Sequence, residues 1–174
     1  MTSISRKTLS QMVTSKGHNL FDLSMSSPVL LIFLRHFGCV FCREAVIDIA
    51  KRKEDFRKKS VLPIFVHMGQ DEEAERFFRE FGIDDAGHIA DPECRYYKMF
   101  GLMKGRFNQL YGLRVWIRGF QTLLDDGPAF HLKQIGDGLQ MPGVFLLKDG
   151  EVRSEYVHQQ ISDRPDYNHL INCC

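Results

Sequence analysis

Cys39 and Cys42 are separated by two apolar residues, in the order Cys39-Val40-Phe41-Cys42. They come shortly after the apolar run from Val29 to Leu34, and a helical pattern begins at Val40. Two sulfurs at this spacing can form a disulfide and be reduced again, and the unpaired N–H groups of a helix start favour the thiolate. The motif therefore predicts thiol redox chemistry. We expect Cys39 to be the more exposed sulfur and the attacking nucleophile, and Cys42, about one turn inside the helix, to resolve the mixed disulfide.

Two other interpretations of the pair are open, a structural role in the core and a share in a metal site. His36, Cys39 and Cys42 supply three potential zinc ligands, whereas the chain has no second cysteine pair at metal-site spacing. A closed zinc site needs four ligands, so we predict neither a metal nor a bound cofactor. Three basic side chains, Arg35, His36 and Arg43, flank the thiols and add positive potential. Of these we take Arg43 as a substrate contact.

Apolar periodicity predicts the elements that position these cysteines. Strands are predicted at 29–35 and 61–66, near 88–91, and as a closing hairpin at 143–147 and 152–157. Helices are predicted at 6–16, for about five turns from Val40, along the stripe that ends at Gly82, from Asp91 to Gly101, and at 167–171. Ser24 to Pro28 are predicted to form a turn, and the glycine-bounded segment 102–138 a helical insertion on the core.

The composition is that of an ordinary soluble globular protein, with 174 residues, 44% hydrophobic and 26% charged residues, and a formal net charge of +1. This length favours one domain, and the charge gives no general attraction to nucleic acid or anionic membranes. The longest apolar run, Val29 to Leu34, is too short to span a bilayer, and residues 1–20 lack the apolar centre of a signal peptide. Cysteines at 39, 42, 94, 173 and 174 do not form the pattern of a secreted disulfide framework. We therefore expect a cytoplasmic protein that binds neither nucleic acid nor membranes.

The order of strand, Cys-x-x-Cys at a helix start, helix, strand, proline and closing hairpin resembles the thioredoxin fold. Five segments are together similar to the peroxiredoxin-like family of the alkyl hydroperoxide reductase and thiol-specific antioxidant (AhpC/TSA) superfamily, to which selenoprotein U-like and selenoprotein L-like proteins are also related. These segments are Phe37 to Glu44, Ala90-Asp91-Pro92, Trp116 to Gly119, Gly136 to Phe145, and Ser162 to Tyr167.

The resemblance runs from about Val29 to Leu170 and implies an α/β, thioredoxin-like fold with a central mixed β-sheet flanked by helices. It implies a single domain over residues 1–174, with a core at about 29–170, an N-terminal extension at 1–28 and a tail at 171–174. It also implies that Pro142 faces the active disulfide after a cis Met141–Pro142 peptide bond. Met141 and Pro142 would then form a surface that binds an extended substrate.

The resemblance implies an antioxidant oxidoreductase, and one departure bears on its reaction. Peroxiredoxins carry Pro-x-x-x-Thr/Ser-x-x-Cys, and alignment on Cys42 puts Cys39 at the hydroxyl position and Arg35 at the proline position. Alignment on Cys39 puts His36 and Ile32 at those positions, so the hydroxyl is missing in both. We therefore predict a thiol-disulfide redox protein that reduces or exchanges disulfides of oxidised proteins, reopened by an external thiol donor of thioredoxin or glutathione type. The alternatives are a thiol-dependent peroxidase acting on peroxides, and a non-catalytic redox sensor or peptide-binding module.

Overall fold

A five-stranded mixed sheet forms the centre of the protein, in a computed structural model that describes residues 2–105 and 138–172. The strands are β1 (Val29–Phe33), β2 (Leu62–His67), β3 (Gly87–Ala90), β4 (Gly143–Lys148) and β5 (Glu151–Val157). Their order across the sheet is β3-β2-β1-β4-β5. β1, β2 and β3 run parallel, whereas β4 is antiparallel to both β1 and β5. The predicted α/β class with a central mixed sheet is confirmed.

The described helices are α1 (Arg6–Gln11), α2 (Leu20–Ser26), α3 (Val40–Lys51), α4 (Lys53–Lys58), α5 (Asp71–Glu80), α6 (Arg95–Met99) and α7 (Tyr167–Ile171). Side chains of β1 alternate between the two faces of the sheet, and all five strand residues are buried. Leu30 and Ile32 join one buried cluster with α3, α5 and α7, while Leu31 and Phe33 join a second cluster with α1, α2 and α6. Such burial on both faces explains why the strand is an uninterrupted apolar run.

Four predicted segments differ from the observed elements by several residues, each for a local reason. The helix predicted at 6–16 ends at Gln11, because Met12 is extended, with a φ of −80° and a ψ of 92°. The predicted turn at 24–28 is mostly helical, because the Asn19 side chain accepts the Asp22 N–H and starts α2. The predicted five-turn helix is divided at Arg52, whose φ of −102° and ψ of 10° end α3 and begin α4. α6 begins at Arg95 and not at Pro92, since Cys94 has a φ of 53° and the Asp91 carboxylate reaches forward to cap the later turn.

Two predicted features lie wholly or partly outside the described residues. Most of the predicted insertion at 102–138 falls on residues 106–137, and the tail ends with Cys173 and Cys174. The division into extension, core and tail therefore stays a prediction. Of the helices described, none has both the length and the apolar character needed to cross a membrane.

Candidate active site

Cys39 is the N-cap residue of α3 and Cys42 lies in its first turn, so the end of β1 leads both sulfurs to the start of one helix. Both cysteines are free thiols and both are buried, with 5% of Cys39 and 4% of Cys42 exposed. The difference of one percentage point is too small to distinguish the two, so the expectation that Cys39 is the more exposed sulfur stays a prediction. Side chains from β1, β4 and the C-terminal part of the chain enclose the helix start, and sequence spacing carries no information about those neighbours.

Arg35 touches both sulfurs through different groups. Its backbone N–H donates to Cys42 Sγ at 3.1 Å, and its guanidinium Nη1 lies 3.8 Å from Cys39 Sγ. Nη2 of the same side chain donates to the carbonyl of Gly138, which fixes the guanidinium over the thiols. With only 6% of the residue exposed, this positive charge is screened little by solvent.

The pKa values of the two thiols are shifted in opposite directions. A hydrogen bond from the Cys42 thiol is the largest influence on Cys39 and, together with the Arg35 charge, lowers its pKa to about 6 against the opposing effect of burial. Burial raises the pKa of Cys42, and its hydrogen bond to Cys39 and the Cys39 charge raise it further. At neutral pH Cys39 is therefore a thiolate that accepts a hydrogen bond from a protonated Cys42.

A small pocket opens beside the two cysteines. Its polar lining consists of Arg35, Cys39, Cys42, His158 and Tyr167. The remaining lining residues are apolar, namely Ile32, Phe33, Leu34, Phe41, Ala45, Pro142, Val144 and Ile161. Such a pocket can admit a small apolar group to the thiolate while excluding bulk water.

Pro142 lines this pocket and Met141 does not, and their role as a substrate-binding surface stays a prediction. Met141 is buried and packs against Ile161 and Phe41. The prediction of a cis Met141–Pro142 bond is wrong, because every peptide bond of the described residues is trans. In the trans arrangement the Met141 N–H donates to the Met103 carbonyl and the Met141 carbonyl accepts from the Gln140 amide, so both backbone groups are satisfied.

Neither Arg43 nor His36 supplies a positive charge to the sulfurs as Arg35 does. The Arg43 guanidinium lies over the ring of Phe81, 5.6 Å from its centre, and does not line the pocket. Its role as a substrate contact stays a prediction. Burial and the adjacent Arg35 charge lower the pKa of His36 to about 4, so its ring is neutral at pH 7 and adds no positive potential. Arg35 supplies the charge next to the sulfurs.

Sequence reasoning missed the support beneath α3. Glu44 and Asp48 are buried on that helix, and Arg164 pairs with both of them, at 3.2 Å to Glu44 Oε1 and 2.7 Å from its Nε to Asp48 Oδ2. Tyr167, three residues after Arg164, lines the pocket. The only signal for this arrangement was the Ser162–Tyr167 segment, which was noted for its resemblance and not for any contact.

The predicted alternative of zinc at His36, Cys39 and Cys42 has a geometric test. A metal site needs potential ligand atoms of at least three residues close to one another. Over residues 2–105 and 138–172, His67, Asp71 and His88 meet this condition, whereas His36, Cys39 and Cys42 do not.

Comparison with known proteins identifies a family that matches the sequence and solved structures that share the fold. The sequence profile described as AhpC/TSA antioxidant enzyme matches residues 48–161, a range that begins after both cysteines of the motif. Peroxiredoxin-like 2C of Mus musculus is 29% identical over 139 residues, which are 75% of this chain and 60% of that protein. This chain thus spans well under two thirds of that relative's length.

Two solved structures show the fold. Peroxiredoxin Q of Xanthomonas campestris has a TM-score of 0.64 and 15% identity, covering 91% of this chain and 87% of that one. A yeast mitochondrial 1-Cys peroxiredoxin, described with its thiol resolving mechanism via glutathione/thioredoxin systems, has a TM-score of 0.60 and 14% identity, covering 91% and 67%. The thioredoxin-like architecture implied by the sequence resemblance is confirmed.

Proposed function

Because the chain belongs to the AhpC/TSA antioxidant enzyme family, we propose that it is a thiol-dependent peroxidase in which the Cys39 thiolate reduces a hydroperoxide. The observation that carries this proposal is the contrast between Cys39, whose pKa is about 6, and Cys42, whose pKa is raised. A reactive thiolate at neutral pH lies next to a thiol that retains its proton, beside a pocket lined by apolar side chains.

The first step is attack of Cys39 Sγ on the terminal oxygen of the peroxide. A sulfur–oxygen bond forms, the O–O bond breaks, and the leaving alkoxide or hydroxide takes a proton to become an alcohol or water. Cys39 is then a sulfenic acid. The Arg35 guanidinium, 3.8 Å from Cys39 Sγ, is placed to stabilise negative charge as it moves from sulfur to oxygen.

The second step uses Cys42. Its sulfur attacks the sulfenic sulfur, a disulfide forms, and the hydroxyl leaves as water with the thiol proton. Two thiols of an external donor then reduce the Cys39–Cys42 disulfide by exchange. We propose a donor of thioredoxin or glutathione type, which is supported by the systems named for the yeast structural neighbour and by the cytoplasmic setting expected from the sequence.

Disulfide exchange on an oxidised protein is the second candidate. It is favoured by the Cys-x-x-Cys motif itself, by Pro142 in the pocket, and by the lack of the peroxiredoxin hydroxyl residue, whose position is His36 when Cys39 is the attacking cysteine. The same two sulfurs serve both reactions, so only the oxidant differs.

Rates separate the two candidates. At pH 7 a pKa of about 6 gives roughly 90-fold more thiolate than the ordinary value of 9.0, while the lower basicity reduces intrinsic nucleophilicity about 16- to 32-fold. Acidity alone therefore accelerates attack only about three- to sixfold over a free cysteine. A larger acceleration requires stabilisation of the peroxide transition state by the pocket.

The test is stopped-flow thiol loss of fully reduced protein with hydrogen peroxide and with cumene hydroperoxide, in wild type, Cys39→Ser and Cys42→Ser. A peroxidase consumes peroxide far faster than that three- to sixfold margin, loses the reaction with Cys39→Ser, and accumulates a trappable sulfenic acid in Cys42→Ser. A rate within the margin contradicts peroxidase function. Fast reduction of a disulfide substrate by the same protein would then support exchange, and failure of both reactions would support the non-catalytic alternative.

A further inference from the structure

Three potential metal ligands that do not include the thiols converge on β2, β3 and the start of α5. His67 ends β2, His88 lies on the neighbouring strand β3, and Asp71 is the first residue of α5. His67 Nε2 lies 3.0 Å from His88 Nδ1, and His88 Nδ1 lies 3.6 Å from Asp71 Oδ1. All three ligand atoms lie within 4.8 Å of one another.

Two of the three separations are close to those of a tetrahedral zinc ion. Ligands bound at about 2.0–2.1 Å in tetrahedral geometry lie about 3.3 Å apart, and the two measured distances fall on either side of that value. We propose that His67, His88 and Asp71 bind a divalent transition-metal ion of the Zn²⁺ class, with a fourth position open to water. This site is independent of the thiol reaction proposed above.

The hydrogen bonds orient His67 for this role. Its Nδ1 lies 3.1 Å from the Gly69 carbonyl, which can only accept, so Nδ1 carries the proton and the lone pair of Nε2 points toward His88. A carbonyl on the far ring nitrogen is the outer partner that metal-binding histidines commonly have. In the present hydrogen bond His88 Nδ1 carries the single proton of its neutral ring and donates it to His67 Nε2. For Nδ1 to bind a metal ion, His88 would have to adopt the other tautomer, with its proton on Nε2.

The surroundings suit a cation bound by neutral imidazoles. Both rings are buried, between Phe37 at 5.3 Å from the His67 ring and Phe78 at 5.6 Å from the His88 ring.

The cluster of His67, Asp71 and His88 is open to solvent on one side and has charged residues nearby. The Asp71 side chain is 59% exposed, which leaves an entry from solvent. The charges of Asp71 and Glu75 on α5 favour a cation, and Lys16 opposes it from the N-terminal segment.

The test is titration of the full-length reduced protein with Zn²⁺ by calorimetry and with Co²⁺ by absorption spectroscopy. We expect one ion per chain with the d–d bands of nitrogen and oxygen ligands, and no thiolate-to-cobalt charge-transfer band from that ion. Asp71→Asn should weaken binding by at least about tenfold, the lower limit for loss of even an outer-shell partner. Glu72→Gln removes the same charge one residue later and should leave the affinity unchanged.

Two results would overturn the proposal. One is equal affinity in wild type, Asp71→Asn and Glu72→Gln. The other is a cobalt spectrum that is dominated by thiolate bands and disappears in Cys39→Ser/Cys42→Ser. Imidazole ¹⁵N spectra provide a check that does not depend on variants, since Zn²⁺ should shift His67 Nε2 and His88 Nδ1. Peroxide reactivity of Asp71→Asn is measured separately, so failure of this site leaves the proposed peroxidase function untouched.

Discussion

At the scale of single residues, Cys39 and Cys42 show that equal burial does not give equal chemistry. Both thiols are almost fully enclosed, yet the pKa of one falls to about 6 and the pKa of the other rises. The difference comes from the direction of the hydrogen bond between them. Cys42 donates, which stabilises the charged form of Cys39 and the neutral form of Cys42.

Replacing Cys42 by alanine should therefore raise the pKa of Cys39, whereas Cys42→Ser, which keeps an O–H donor, should change it less. Complete loss of the depression would reduce the thiolate fraction at pH 7 from about nine-tenths to about one-hundredth, and the alanine variant should fall between these limits. Its alkylation rate at pH 7 should drop and recover at higher pH, because thiolate forms only as the pH passes through the raised pKa.

The measurement is the iodoacetamide alkylation rate of the Cys39 peptide from pH 4 to pH 9, resolved by mass spectrometry. Cys94 in the same samples serves as an internal control for folding, because it packs in the second buried cluster with its thiol against Met68 Sδ and its alkylation rate should be equal in both variants. Identical midpoints for the alanine and serine variants would contradict the role of the Cys42 donor and leave Arg35 as the source of the acidity.

At the scale of elements, α3 is held by charges on its inner side. Glu44 and Asp48 are one turn apart and buried, and Arg164, from the segment before α7, pairs with both. Arg52 adds a weaker contact to Asp48 at 3.4 Å. Removing one partner from a buried ion pair leaves an uncompensated charge, which is more costly than losing an exposed pair.

Arg164→Met should lower the free energy of unfolding by about 1–3 kcal/mol, less than for a fully buried pair because 46% of the Arg164 side chain is exposed. Arg153→Met is the matched control, since Arg153 pairs with Asp149 and Glu151 on the surface and should contribute less than about 1 kcal/mol. The measurement is urea unfolding of the reduced proteins.

A double-mutant cycle of Arg164→Met with Asp48→Asn isolates the pair. The double variant should be less destabilised than the sum of the single variants by about 0.5–3 kcal/mol, because neutral asparagine no longer needs a cation. Additive losses would mean that Arg164 stabilises the protein through packing and not through this ion pair.

Elements with strong apolar periodicity could be predicted from the sequence, and their ends could not. β1, β2, α5 and the β4–β5 hairpin lie where the patterns placed them, because burial of a periodic stripe decides such elements. The start of α2 at the Asn19 cap and the left-handed Cys94 before α6 depend on single side-chain and backbone geometries. Propensity reasoning did not resolve these.

For the site, the sequence indicated the cysteine pair, Pro142 and three candidate basic side chains, but not which of those side chains lies beside the sulfurs. Arg35 is fixed by the Gly138 carbonyl, and α3 by Arg164, through contacts between segments far apart in the chain. Local spacing therefore could not show that Arg35, and not Arg43, is the cation beside the sulfurs. The burial of Cys39 has the same origin, since its cover comes from distant strands.

At the scale of the whole molecule, the sheet separates two buried clusters. Tyr97 belongs to the second cluster and contacts the ends of β1 and β2, and the end of β1 leads to the two cysteines. Its ring packs edge-on against Phe33, 4.9 Å between centres, and its hydroxyl donates to the carbonyls of Leu34 and Val66. Leu34 directly precedes Arg35, so this hydroxyl helps to hold the end of β1. The Val66 carbonyl also accepts the Leu34 N–H at 2.8 Å.

Tyr97→Phe should consequently lower the free energy of unfolding by about 1–3 kcal/mol, the cost of leaving a buried acceptor without a donor. The Leu34 carbonyl loses its hydroxyl partner, while Val66 keeps the Leu34 N–H. Tyr96→Phe is the matched control, because the Tyr96 hydroxyl donates to the Gln11 carbonyl at the surface and its loss should change stability by less than about 0.5 kcal/mol. Urea unfolding compares the two variants with wild type. Equal losses would show that water replaces the Tyr97 hydroxyl, and that packing of the ring alone secures the end of β1.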